Sequence, residues 1–201
     1  MGGDHGPEAV VPGVLEARAR YGGAYLLLGD PARIYRAAGG TLPDGFTVEE
    51  APDEIGMDEH PLQAVRSKKR SPIVRGVAAV AEGRAVAFVS AGHTGAVMAA
   101  STLGWGRLKG VERPAIATLI PTPRDPCVLV DAGATVDSKP EHLVGFAVLG
   151  SVFHAFLYPR EKPPRVGLLS NGEEDEKGNV LGFSVLRVSS LKRKPLEVAL
   201  A

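Results

Sequence analysis

The tightest constraint on this chain lies in residues 85–100, which read Ala-Val-Ala-Phe-Val-Ser-Ala-Gly-His-Thr-Gly-Ala-Val-Met-Ala-Ala. The first half is a short apolar run with β-branched and aromatic residues, the pattern of a strand buried on both faces of a parallel sheet. The second half is rich in Ala and has no breaker. The stretch predicts strand, loop, helix. The loop Ser90-Ala91-Gly92-His93-Thr94-Gly95 then falls where a parallel strand ends and a helix begins. Its glycines let the backbone approach a ligand, while free N–H groups and the helix dipole favour an anion. A phosphate or carboxylate is the expected guest. The spacing matches neither GxGxxG nor GxxxxGK[ST], so the loop alone reads equally well as an ordinary βα turn.

The rest of the chain supplies the sheet for that loop. Gly2, Gly3, Asp4, His5 and Gly6 form a glycine-rich polar loop, and Pro7-Glu8 opens a helix with Val10, Val11, Val14 and Leu15 at helical spacing. Such a loop normally follows a strand, so the natural protein is expected to begin upstream of Met1. Apolar runs at 24–28, 115–120, 128–130 and 166–169 read as strands, with 46–48 as an edge strand. Helices are predicted at 31–38, at 72–82 with Ile73, Val77 and Val80 inward, and at about 140–156 with Leu143, Phe146, Ala147, Val148 and Phe153. This alternation predicts an α/β fold with right-handed βαβ units, a doubly wound, mostly parallel sheet covered on both sides in a three-layer α/β/α sandwich. Ligands of such sheets bind outside the carboxyl ends of the strands. Four polar loops converge there: the first loop, residues 90–95, residues 131–135, and residues 170–179. An acidic segment at 53–61 precedes a basic one at 66–71, which reads as a solvated face or as a docking or substrate surface. There is no internal repeat, and the tail from Val180 carries no clear pattern.

The totals narrow the partners. Lys plus Arg equals Asp plus Glu at 23 each, which gives no general electrostatic reason to expect nucleic acid. The single cysteine, Cys127, sits in an apolar run and is expected to pack as a small buried hydrophobe. No apolar run approaches the roughly 20 residues needed to span a bilayer, and no signal-peptide pattern is present, so a reducing cytoplasm is the expected compartment.

At this point the loops resemble a known family, the PlsX family of phosphate acyltransferases. The matching segments are Met1-Gly2-Gly3-Asp4-His5-Gly6-Pro7-Glu8, Met57-Asp58-Glu59-His60-Pro61 with Arg66, Lys68 and Lys69, and residues 89–96. They continue with Arg113-Pro114-Ala115, Pro121-Thr122, Asp131-Ala132-Gly133-Ala134, residues 164–169, Gly172-Glu173-Glu174 and Lys177-Gly178-Asn179. Order and spacing hold over about residues 1–180, leaving 181–201 as a divergent tail. His93 and Thr135 stand where the family usually has asparagine, and Ser170-Asn171 replaces a more apolar pair. The family also carries a strand before the first loop and roughly another third of chain after Asn179, so truncation or a changed reading frame is expected, and intact mass of the native protein tests it.

The resemblance implies a Rossmann-like fold of the isocitrate dehydrogenase and phosphotransacetylase type. It implies transfer of a fatty acyl group from acyl-acyl-carrier-protein to inorganic phosphate, no cofactor or metal, a homodimer, and association with the inner membrane face. Such a reaction needs a cradle holding phosphate against the thioester carbon, donors for the oxyanion, and a proton for the thiolate. The cradle candidates are Ser90, Gly92, His93, Thr94, Gly95 and Thr135, with Thr94 as a plain helix cap the alternative. Glu173, Glu174 and Asn179 are further substrate-binding candidates. Lys68, Lys69 and Arg113 suit phosphate or the acidic carrier protein, or are ordinary surface cations. Asp4, His5, Asp131 and Lys177 are the acid–base candidates, and Asp131 equally suits a turn cap. Two further readings remain open: a phosphotransacetylase-like or nucleotide-binding enzyme, and a fragment that binds phosphate and carrier without turnover.

Overall fold

The computed structural model describes residues 3, 5–123, 126–135, 137–159 and 163–169, and the backbone of 198–200. The chain divides into two compact units, Met1–Gly106 and Arg107–Ala201.

The first unit opens with α1 (Pro7–Tyr21), with Pro7 at a position where its missing N–H costs nothing. β1 (Tyr25–Gly29) follows, then α2 (Pro31–Ala37), β2 (Phe46–Glu50), α3 (Pro61–Ser67), α4 (Pro72–Ala81) and α5 (Thr94–Gly104). Asp30 starts α2 by accepting from the Ala32 N–H at 2.8 Å, and Ser71 starts α4 by accepting from Val74. β1 and β2 pair in parallel from Tyr25 opposite Phe46 to Gly29 opposite Glu50, with the Tyr25 and Phe46 rings stacked at 5.5 Å. Val11, Leu27 and Ile34 form the core between this pair and helices α1 and α2. Truncating a buried Ile such as Ile34 to Ala typically costs about 2–5 kcal/mol.

A second core joins α3, α4 and α5 through Ala64, Val65, Ile73, Val77, Ala96 and Ala100. Close approach is made by glycine. A Cβ at Gly104 would stand 2.6 Å from the Val77 side chain, and the Trp105 indole N–H donates to the Val77 carbonyl at 2.9 Å. The predicted inner face of α4 holds at Ile73 and Val77, with Gly76 and Ala79 buried beside them and Val80 only half-buried.

Residues 85–89 depart from the prediction. They form no ladder with any described strand, and Val86 and Val89 are exposed. The Ala85 N–H donates to the Ala79 carbonyl at 3.1 Å, and the Phe88 ring packs where a Cβ on Gly76 would be. An apolar run becomes a strand only when a neighbouring strand accepts its backbone hydrogen bonds, and here a helix face takes its one large side chain instead.

Among the described residues the acidic and basic segments share one ion pair, Lys68 with Glu59, and further ties lie beside them. Glu49, at the end of β2, binds Arg75 of α4 through one oxygen and Arg84 through the other at 2.9 Å. Arg75 also donates to the Glu50 carbonyl at 2.8 Å, and the Arg70 N–H to Asp53 at 2.9 Å. These contacts tie the β1–β2 pair to α4.

In the second unit β3 (Ala117–Ile120) and β4 (Cys127–Val130) pair antiparallel, against the parallel order expected, with Ala117 opposite Val130. β5 (Val166–Leu168) pairs in parallel with β6 (Val198–Leu200). The result is a mixed α/β structure with short two-stranded sheets. Cys127 is exposed rather than buried: it is the first residue of β4, and only the three residues after it are half-buried. α6 (Pro140–Leu157) packs on β4, where a Cβ at Gly150 would meet Val130 at 3.2 Å. It buries His142, Val144 and Phe146. Val148, Val152 and Phe156, four residues apart on the helix, are exposed. Contrary to the reading of short apolar runs, α6 has 18 residues of mean hydropathy 1.3, long and apolar enough by length and composition to cross a membrane.

Hydrogen bonding by Arg84, aided by the charges of Arg75 and Arg84, holds the Glu49 carboxyl below its ordinary value despite its partial burial. A depressed carboxyl contributes stability above its unfolded pKa and loses it as pH falls through the folded one. Glu49→Gln is therefore expected to lower stability at neutral pH and to flatten its decline in acid. Urea unfolding across the acid range checks this, and parallel acid limbs for the two proteins would count against it.

Candidate functional site

Two of the predicted loops meet in the first unit. Gly3 adopts φ +95°, a region that favours glycine, and a Cβ there would stand 2.9 Å from the Ala91 carbonyl oxygen. The first loop therefore lies directly against the loop of residues 90–95. His5 is exposed in the turn before α1, and Asp4 lies outside the described residues.

The loop itself is organised by short-range bonds. Ser90 is exposed, and its hydroxyl accepts from the Gly92 N–H at 3.1 Å. His93, not Thr94, occupies the cap position of α5, and Thr94 is the first helical residue and exposed. No side chain caps this helix. The first N–H groups of a helix have no partner within it, so its start presents donors and the positive end of the dipole. The imidazole of His93 turns away from its own helix, with Nε2 3.1 Å from the Glu59 carbonyl oxygen. Nδ1 is buried and has no hydrogen-bond partner.

Gly95 also has a packing role that the sequence does not reveal. A Cβ there would stand 2.8 Å from Pro61 Cγ and 3.1 Å from His93 Cε1. The missing side chain makes room for α3 and for the imidazole, which is how the helix start comes to lie against residues 59–61.

Among the basic candidates, Lys68 is committed. Its ammonium donates at 2.5 Å to both the Glu54 carbonyl and the Glu59 carboxylate. Glu59 also accepts from the Gly56 N–H at 2.6 Å, and Lys68 foremost, then this bond, hold its carboxyl below the ordinary value. Lys69 is exposed, and its side chain has no partner among the described residues.

The second unit holds Arg113, Asp131 and Thr135. Asp131 accepts from Ile116 at 2.8 Å, Ala134 at 3.2 Å and Thr135 at 2.8 Å, all backbone N–H groups. It builds its turn and fastens that turn to the start of β3. Arg113 is exposed on a small cleft that also takes in Glu112, His142 and Phe146. Glu173, Glu174, Lys177 and Asn179 lie outside the described residues. Among the described residues no group of three or more His, Cys, Asp or Glu could hold a metal ion.

Sequence reasoning placed Glu59 and Pro61 only in a matching segment and missed their contacts, Glu59 with Lys68 and Pro61 against Gly95. The adjacency of the acidic and basic segments was the available signal, since opposite charges so close in sequence find each other readily. Gly95→Ala is expected to push Pro61 or His93 aside and to cost about 1–3 kcal/mol by overpacking. Thermal unfolding checks it, and unchanged stability would show that the α5–α3 contact has slack.

Residues 1–195 match the family described as fatty acid synthesis protein. The phosphate acyltransferase of Desulfitobacterium hafniense (strain Y51) is 47% identical over 182 residues, covering 90% of this chain and 54% of that protein. That of Desulforamulus reducens is 46% identical over 195 residues, covering 95% of this chain and 58% of its own. That of Myxococcus xanthus is 48% identical over 185 residues, with 90% and 52% covered. The chain thus spans about half the length of the curated relatives it matches.

Proposed function

Because the chain belongs to the fatty acid synthesis protein family, we propose that it acts in transfer of a fatty acyl group from acyl-acyl-carrier-protein to inorganic phosphate. The product is an acyl phosphate for phospholipid synthesis. The observation that carries this reading is the uncapped start of α5, against which the first loop is packed through Gly3 and Ala91. Backbone N–H groups of residues 93–96 take the phosphate there, as helix starts commonly do. The Ser90 hydroxyl, already an acceptor from Gly92, still has its own proton to give.

In the reaction a phosphate oxygen attacks the thioester carbonyl, the carbon–sulfur bond breaks, and the proton of hydrogen phosphate passes to the departing thiolate. The work required is positioning and charge stabilisation. His5, Asp4, Asp131 and Lys177 are the proposed proton carriers. Lys69 and Arg113, both exposed, supply charge for the carrier protein or phosphate, while Lys68 orders residues 54–59. The reading extends to a doubly wound three-layer sandwich for the whole protein and to a homodimer in the cytoplasm at the inner membrane face. The exposed apolar stripe of α6 supports a contact of that kind.

The test is release of free carrier protein from palmitoyl-acyl-carrier-protein, with and without inorganic phosphate. Phosphate-dependent release is expected. Phosphate-independent release, or none from the folded protein, would overturn the reading. Lys69→Glu is expected to raise KM for the acyl carrier about 2- to 10-fold at low salt, with the gap closing as salt rises.

A further inference from the structure

We propose that His93 is a positioning residue whose imidazole ties residues 57–61 to the loop of residues 90–95 and so fixes the backbone donors at the start of α5. Its kinetic consequence rests on the acyltransfer reading; its structural consequence does not.

A residue in the cap position usually turns its side chain back onto the first N–H groups of its own helix. His93 does the reverse. Its ring reaches across to the Glu59 carbonyl at 3.1 Å and leaves the helix start uncapped. With a carbonyl as partner, Nε2 carries a proton, while Nδ1 is buried with no hydrogen-bond partner. A buried polar atom left unpaired calls for an explanation. Here the ring is held by its other nitrogen and by shape, since Cε1 stands 3.1 Å from the space a Cβ at position 95 would fill.

The far end of the tether is firm. The Glu59 carboxylate accepts from the Gly56 N–H and from Lys68, and Lys68 also reaches the Glu54 carbonyl. The imidazole therefore joins the loop to a closed node of hydrogen bonds rather than to a free segment. Displacing the ring frees residues 92–95 to turn, and donors that no longer converge bind an anion less well. The consequence falls on phosphate binding more than on folding, because the core of α3, α4 and α5 does not include the ring.

Three variants of the full chain separate the possibilities, because Gln places its amide nitrogen near the reach of Nε2 whereas Asn reaches only as far as Nδ1. His93→Ala and His93→Asn are expected to raise KM for phosphate about tenfold with a smaller change in kcat, and His93→Gln to restore KM to within about threefold. Amide hydrogen exchange at residues 56–60 is expected to rise in the Ala and Asn variants and to stay near wild type in Gln. Rescue by Asn but not Gln would show that Nδ1 is the working atom and overturn the tether. So would three variants equal to wild type, or three impaired alike. A wild-type protein without phosphate-dependent release would overturn the acyltransfer reading instead, and the exchange pattern alone would then decide the tether.

Discussion

The contact on which the first unit depends is the approach of α5 to Pro61, permitted because position 95 has no side chain. Protein interiors are packed closely enough that one methyl group decides whether two elements can meet. At this contact the absence of that methyl lets three things share one place: the start of a helix, the ring of Pro61 and the imidazole of His93. The same economy recurs at Gly76 beneath Phe88 and at Gly104 against Val77. Glycine in the helices here costs some helix stability, and the return is close packing of α4 and α5 against Phe88, Val77 and Pro61.

Charge follows the same logic. A balanced composition gives no long-range field, so what matters is where individual charges are spent. Glu49 draws Arg75 and Arg84 together, and Glu59 holds Lys68, which leaves Lys69 as an exposed cation beside the clamp. Each surface pair contributes little alone, but together they link β2 to α4 and hold residues 53–60 in place beside the loop. Part of the acidic and basic segments is thus used in internal ties, while Arg66, Lys69 and Arg70 stay exposed.

Most of the helices were legible because their signals are local. Proline at the first helical position, Asp30 and Ser71 as caps, and apolar residues at helical spacing depend on no distant residue. The strands were less so. Residues 85–89 carry a strand's composition, yet a ladder needs a partner, and periodicity cannot say whether one is present. The exposure of Cys127 and the antiparallel order of β3 and β4 likewise depend on what lies alongside. At the site, the glycine loop was legible as a place, and its internal roles were not. Gly95 serves packing, and Lys68 is tied to residues 14 and 9 positions away. Asp131 is a turn builder as much as a candidate acid, because three backbone donors converge on it, and no spacing rule reveals that.

The central claim is that the start of α5 is an anion site framed by residues 90–96. Backbone amide shifts in a ¹⁵N-labelled protein, followed during titration with inorganic phosphate, test it most directly. The account predicts saturable shifts concentrated at His93, Thr94, Gly95 and Ala96, with smaller ones at Gly3. Shifts spread evenly over exposed lysines and arginines, or none at residues 93–96, would contradict it.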